Sequence, residues 1–539
     1  MNNMIPQRMD YWSPTERSVV ADSGEDVLRL IQQVREPLSI VALDDGRRTV
    51  ASGGAVGEMG EGRHLTLIGL LPASYPEWLG DRSFCEIHGC RFAYVAGEMA
   101  RGIATAEMVI AAARAGFMGF FGSAGLPVPE IARALDTIQD ALGMDAVNWG
   151  ANLIHSPQEP EAERAVVDLF LARKVRRVSA SAYMRMSPEI VRYMASGLHR
   201  DADGTVCRTN RIFAKISRAE VAEQFMSPPP QAMLDKLVAA GRLLPEEAAL
   251  ASFIPVAEDI TAEADSGGHT DNRTLTVLLP ELMALRDAVS ARFGYSSRIR
   301  VGAAGGLGSP AGVAAAFAAG AAYVLTGSVN QSAIESGLSL EGRRMLTQAE
   351  PQDVAMAPAA DMFELGVNVQ VLKRGTLFAT RGRRLYEIYR SCGSIEEIPD
   401  ALRKQLEREY FRATLDEVWK DTCAYFETRD PSEIDKASKD PKRKMALIFR
   451  SYLFRGAQWA REGEADRRSD YQIWCGPAMG AFNAWVRGSF LEPAENRTVT
   501  QIGLNLMEGA AAITRAQQVR ISGVDVPFTA FQFLPRPLG

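Results

Sequence analysis

The stretch Glu263-Ala264-Asp265-Ser266-Gly267-Gly268-His269 has the residue types of a loop built for close approach. Its two glycines let the backbone turn and let a ligand come near. His269, one of five histidines in the chain, stands at the mouth of that turn. Glycine-rich ends recur at Gly302-Ala303-Ala304-Gly305-Gly306-Leu307-Gly308 and at Thr326-Gly327-Ser328. Backbone N–H groups in such loops, together with the start of a following helix, favour a dianion such as a phosphate. Singly, each glycine reads as a tight turn. Three such ends in one region read as one site for a phosphorylated cofactor, with small residues flanking its ring. The Gly302–Gly308 spacing is G-x-x-G-G-x-G, which does not match the G-x-G-x-x-G of a dinucleotide fold.

Polar residues near these loops have open roles. His269 can donate a hydrogen bond or a proton beside a reacting carbon, or bond backbone as a structural histidine; its glycine-flanked place favours the active role. Lys215 can stabilise an electron-rich ring or an anionic oxygen, or be paired with a carboxylate for structure alone. Asn152 can bond a ring heteroatom or satisfy neighbouring backbone.

Such residues need a scaffold that gathers strand ends. From Cys90 onward the chain alternates near-continuous apolar runs with amphipathic, helix-like segments. The runs are Arg91–Ala96, Phe117–Phe121, Val147–Ile154, Val175–Ala180, Arg211–Ile216, Glu258–Ala264, Arg298–Ala304 and Ala322–Thr326. Apolar strands alternating with helices predict a parallel sheet covered on both faces. Eight units predict an α/β fold of the (β/α)8 TIM-barrel type, with its active site at the carboxyl ends of the strands. Those ends carry Gly97-Glu98-Met99, Gly122-Ser123-Ala124-Gly125, Asn152, Ser179, Lys215, Asp265 to His269, Gly305-Gly306 and Gly327-Ser328.

The expected organisation is a small β-containing module over residues 1–89, the barrel over 90–344 with an insertion at about 217–253, and a mostly helical part over 345–539. At 539 residues, with 47% hydrophobic and 23% charged, the chain has material for a large core. A net charge of −6 argues against a general nucleic-acid binder. No apolar run is long enough to cross a membrane, and Met1–Asp10 lacks an apolar leader. Six scattered cysteines form no disulfide framework and fit a reducing cytoplasm. Cys85, His88 and Cys90 lie close together, but a zinc site needs about four ligands and no second pair follows; no metal is expected.

At Ala96-Gly97-Glu98-Met99-Ala100-Arg101-Gly102-Ile103, Asn152, Ala214-Lys215, Glu263 to His269, Ala304-Gly305-Gly306 and Gly327-Ser328, the chain resembles the flavin-dependent family of nitronate monooxygenases and flavin-type enoyl reductases. Three further stretches narrow the match: Gly116 to Leu126, Gly327 to Gln331, and Asp470-Tyr471-Gln472-Ile473-Trp474-Cys475-Gly476-Pro477-Ala478-Met479-Gly480-Ala481-Phe482-Asn483. They resemble the trans-acting, PfaD-type enoyl reductases of polyunsaturated-fatty-acid and polyketide synthases. That resemblance implies FMN across the barrel mouth, NADPH as reductant, and an enoyl thioester on the arm of an acyl carrier protein as substrate; a homodimer is compatible with it. It implies catalytic roles for His269 and Lys215. Ala96, Gly97, Glu98, Met99, Asn152, Ser179 and Lys215 would meet the cofactor from one side, and Asp265, Gly267, Gly268, Gly305, Gly306, Gly327 and Ser328 from the other. Two residues depart from expectation. Small or neutral side chains are expected at Glu98 and Arg101, and charges there either alter the cofactor rim or pair with each other. The run Lys442-Arg443-Lys444 reads as a carrier-protein landing site or, more simply, a solvated helix end. Tyr471, Trp474 and Phe482 read as an acyl channel or as core, with core favoured. An oxidative nitronate monooxygenase and a non-catalytic synthase scaffold are the competing readings.

Overall fold

A computed structural model describes residues 11–59, 62–157, 159–427 and 429–539. Met1–Asp10, where the sequence shows no leader, lie outside the described residues. The eight expected runs become strands β1 (Tyr94–Ala96), β2 (Met118–Phe121), β3 (Trp149–Ile154), β4 (Arg177–Ser181), β5 (Arg211–Ile216), β6 (Asp259–Glu263), β7 (Arg300–Ala304) and β8 (Val324–Thr326). They close in chain order into a parallel barrel, with β8 pairing back onto β1. The fold is the TIM barrel that the sequence predicts.

Strand alternation decides what each residue faces. On β6, Ile260 and Ala262 join the apolar layer under the outer helices. Asp259, Thr261 and Glu263 point inward and stack from floor to mouth. On β5, Arg211, Phe213 and Lys215 follow the same period. The middle layer is aromatic: Phe84 stacks on Tyr323 at 4.6 Å, and Phe213 meets Phe120 edge-on at 5.0 Å. Thr261 and Tyr323 share a buried hydrogen bond of 2.7 Å. The barrel is therefore a packed core below and a polar layer above.

The floor is closed by the helix Arg82–His88. Asp81 caps it by accepting from Ser83 N, and Gly89 ends it at φ +62°. Its Phe84 and His88 are fully buried against the barrel, so the expected 1–89 module ends before this helix. The preceding segment forms, among the described residues, a six-stranded antiparallel sheet that includes the expected strands as Leu38–Ala42 and Leu65–Leu71. The expected insertion is also shorter than 217–253. Helix Ala219–Met226 packs on β5 and on Leu275–Phe293 as an ordinary barrel helix, and only Gln231–Ala239 and Pro245–Ala251 are extra, lying on Pro188–Ala195.

The 345–539 region divides. Strands Val354–Pro358 and Asn368–Leu372 form a small sheet, and helices from Phe378–Ser391 to Pro441–Glu462 build a separate apolar cluster around Phe363, Phe378, Phe449 and Tyr452. The chain then returns. Helix Val499–Ile521 packs on Pro310–Ala318 and Ala106–Arg114, beside β1. Its Ile502, Leu506 and Met507 belong to the barrel's core, so it fills the ring position next to β8 instead of belonging to a detached helical part. Gly503 makes this contact possible: a Cβ there would lie 2.5 Å from the Phe117 ring. Gly503→Leu is expected to destabilise the fold by about 1–3 kcal/mol through overpacking, read from denaturant midpoints; an unchanged midpoint would contradict this placement.

Candidate active site at the barrel mouth

The mouth gathers the sequence-predicted residues from all eight strands. Lys215 is the top inward residue of β5 and Glu263 that of β6, and their ion pair is 2.9 Å. Glu98, just past β1, reaches the same Nζ at 3.1 Å. Burial opposes the lysine's charge, but Glu263 and then Glu98 outweigh it and raise its pKa above the usual lysine range. Lys215 is thus a cation held between two carboxylates. The expected pairing of Glu98 with Arg101 does not occur. Arg101, at φ +58°, turns away; it donates to Phe454 O at 2.9 Å and lies 3.9 Å over the Phe454 ring.

His269 leaves β6 through the glycine turn and pairs with Val369 in the small sheet. Its Nε2 lies 3.3 Å from Asp361 Oδ1, an ion-pair contact without good hydrogen-bond geometry. Burial lowers the imidazole pKa, but Asp361 and then Glu263 reverse this and set it above the ordinary histidine value. The Asp361 carboxyl is correspondingly depressed: burial acts against its charge and His269 overrides it. Asp361 carries no signal in the sequence. It stands far along the chain in a short polar stretch with no motif, and only the pairing of residues 268–269 with the strand at 368–372 reveals it.

Asp265 has a different role from the one expected. Its Oδ1 accepts from Gln370 Nε2 at 2.7 Å and from Asn272 Nδ2 at 2.9 Å, so it ties the loop to the small sheet. Asn152 donates to Ser179 O at 3.1 Å and Ser181 Oγ at 2.9 Å, across β3 and β4. Ala96 is buried in register with Thr326, and Gly97 N donates to Thr326 O at 2.9 Å. Met99 O receives Ala104 N at 3.0 Å and closes the loop after β1.

The segment Tyr471–Gly476 crosses the mouth. Trp474 bridges to Val371, its carbonyl accepts from Gln331 Nε2 at 2.6 Å, and Gly476 N donates to Ser328 Oγ at 3.1 Å. Gly267 and Gly476 let the two backbones touch, since a Cβ on Gly267 would lie 2.8 Å from Cys475 N. Tyr471 and Phe482 are core, as favoured, while Trp474 is half-buried beside the glycine turn. The basic run 442–444 is engaged within the helical part. Arg443 pairs with Glu433 at 2.5 Å, Lys442 donates to Cys392 O at 2.8 Å, and Lys444 lies over Trp419.

Two observations test whether these residues fit a flavin phosphate. Buried polar atoms without hydrogen-bond partners collect here: both Glu98 oxygens, Ser179 Oγ, Ser266 Oγ, His269 Nε2 and Gln331 Oε1. Buried polar groups are nearly always satisfied, so this set is suited to a polar ligand. On the adjacent strands β7 and β8, Gly306 and Gly327 face open space where a Cβ would touch nothing within 4 Å. Helix Pro310–Ala318 begins directly after the first of these loops. The donor set fits a phosphorylated ring cofactor.

The nitronate monooxygenase family model matches residues 82–381. A solved structure, the enoyl reductase domain of MlnA from the macrolactin cluster of Bacillus amyloliquefaciens, is 41% identical with a TM-score of 0.78, covering 83% of this chain and 98% of that one. The chain belongs to the nitronate monooxygenase family, in its enoyl reductase branch. Within that branch it is 46% identical over 449 residues to a polyunsaturated fatty acid synthase polypeptide of a Thraustochytrium species, and 45% identical over 437 residues to polyketide biosynthesis protein PksE of Bacillus subtilis. These matches cover 82% and 81% of this chain, but only 30% and 56% of the relatives. Residues 392–471 match a further family model, the inserted helical domain of acyl-carrier-protein S-malonyltransferase. This enoyl reductase branch thus carries a second, helical part inserted between β8 and the helix that completes the barrel ring.

Proposed function

We propose that the protein is an FMN-dependent enoyl reductase that uses NADPH to reduce the α,β double bond of enoyl thioesters carried in trans on acyl carrier proteins, in the cytoplasm, for polyketide or polyunsaturated fatty acid synthesis. The observation that carries this reading is the ring of unpartnered buried polar atoms and open glycines at the mouth, beside His269. The names of the relatives supply the reaction class, and their synthase membership supplies the carrier-protein partner. FMN, when bound, supplies hydride transfer. Gly305, Gly306, Gly327 and Ser328 would hold its phosphate, and Ala96, Gly97, Met99, Asn152, Ser179 and Gly268 would border its ring. Lys215, positively charged, would face developing negative charge, and His269 would donate the proton to the α-carbon. Among the described residues, no helix is long and apolar enough to cross a membrane.

The purified protein is expected to be yellow, to bleach with NADPH and to recover its colour with a crotonyl thioester. A yellow protein indifferent to NADPH but active on nitronates would replace this reading with an oxidative one. A colourless protein unable to take up FMN would replace it with a scaffold.

A further inference from the structure

Glu98 makes the charge at the mouth unusual. Its side chain is 3% exposed, neither oxygen has a hydrogen-bond donor, and Lys215 Nζ is 3.1 Å away. Lys215 already has Glu263 at 2.9 Å. One carboxylate is enough to balance one ammonium, so the triad holds one negative charge in excess. The neighbouring groups do not offset it. Asp265 is held by the neutral amides of Asn272 and Gln370, Asp361 faces His269, and Arg101 points to Phe454. The family resemblance leads one to expect a small or neutral residue at position 98, which would leave Lys215 and Glu263 as a neutral pair.

Resting on the flavin reading above, we infer that Glu98 tunes the redox balance of the mouth: its charge opposes electron uptake by a flavin bound there and strengthens hydride delivery to the enoyl acceptor. Electron uptake adds negative charge. A fixed carboxylate in a partly dry site acts on that charge with little screening. Glu98 is thus a positioning and tuning residue, acting with Lys215 as a unit.

The test is an anaerobic midpoint titration of the flavin-loaded wild type, Glu98→Gln and Lys215→Met. Glu98→Gln is expected to favour the reduced form by about tenfold, a positive shift of about 30 mV for a two-electron couple. Lys215→Met, which leaves two carboxylates uncompensated, is expected to shift the potential the other way. An unchanged potential in Glu98→Gln, or shifts of the same sign in both variants, would overturn the inference. Loss of FMN from Glu98→Gln alone would also overturn it, by making Glu98 a binding group. A wild type that takes up no flavin sinks the functional reading itself, a result separate from unchanged potentials.

Discussion

His269→Ala is expected to retain FMN and to reduce enoyl thioesters about 10²–10⁴-fold more slowly, the range for loss of a positioned general acid. The expectation rests on three facts. The imidazole sits on a turn anchored at both ends, by β6 and by the pairing with Val369. Its Nε2 is buried and lacks a well-formed hydrogen bond. Its pKa is raised: burial opposes the proton, while Asp361 and then Glu263 favour it and Lys215 opposes it weakly. A group with a raised pKa carries its proton further into neutral pH, as a donor must. Asp361→Asn removes the main support for the charged form. The alkaline limb of the kcat profile is then expected to move to lower pH, with FMN affinity unchanged. In stability terms, the His269–Asp361 contribution is full below about pH 6.5 and is lost as pH rises through the folded pKa. Full activity of His269→Ala at every pH would assign the proton to water and leave His269 a purely structural role.

The barrel is legible in the sequence because its strands are apolar on both faces and end in glycines or small polar residues. Its mouth is legible only strand by strand. Lys215 stands out as a charge at a strand end, but its partners come from β1 and β6, and sequence spacing does not say that those ends converge on one ammonium. Asp259-Ile260-Thr261-Ala262-Glu263 does carry a signal. Polar residues at every second position of a buried strand must face a polar interior. Read that way, the strand predicts both the Glu263 layer at the mouth and the Asp259 layer at the floor. Asp361 and the Tyr471–Gly476 crossing are beyond local pattern, because the inserted part folds back over the mouth through contacts between distant segments. The helix Val499–Ile521 belongs to the barrel and not to the helical part for a related reason. Its alanine- and glycine-rich face suits any close helix packing, and only Gly503 against Phe117 shows which one.

Asp259→Ala is expected to cost about 3–5 kcal/mol, the largest stability loss of any change considered, because it strands buried positive charge at the barrel floor. Asp259 is fully buried. Its Oδ1 accepts from Arg300 Nε at 2.6 Å, and its Oδ2 from Arg300 Nη2 at 2.9 Å and from His88 Nε2 at 3.0 Å. His88 Nδ1 in turn accepts from Arg177 Nε at 3.4 Å, so the imidazole is the neutral tautomer with its proton on Nε2. Burial depresses the His88 pKa; Asp259 acts against that, and Arg300 and Arg177 reinforce it. For Asp259, burial raises the pKa, but Arg300 and then His88 override it and hold the carboxyl well below the usual range. Both shifts act in the same direction with pH. The unfolded chain takes up a proton on His88 as pH falls below about 6.5, before the folded state does, so stability declines there. Below about pH 3.9 the unfolded Asp259 protonates as well, and the decline steepens. Denaturant midpoints between pH 7.5 and about 5 should therefore fall in the wild type, and fall less in His88→Gln, which keeps a donor to Asp259 but cannot titrate. Equal slopes in the two proteins would mean that other groups govern the acid limb. The floor is remote from the mouth layer of Lys215 and Glu263. Surviving folded Asp259→Ala should thus bind FMN normally, which separates its effect from that of any change at the mouth.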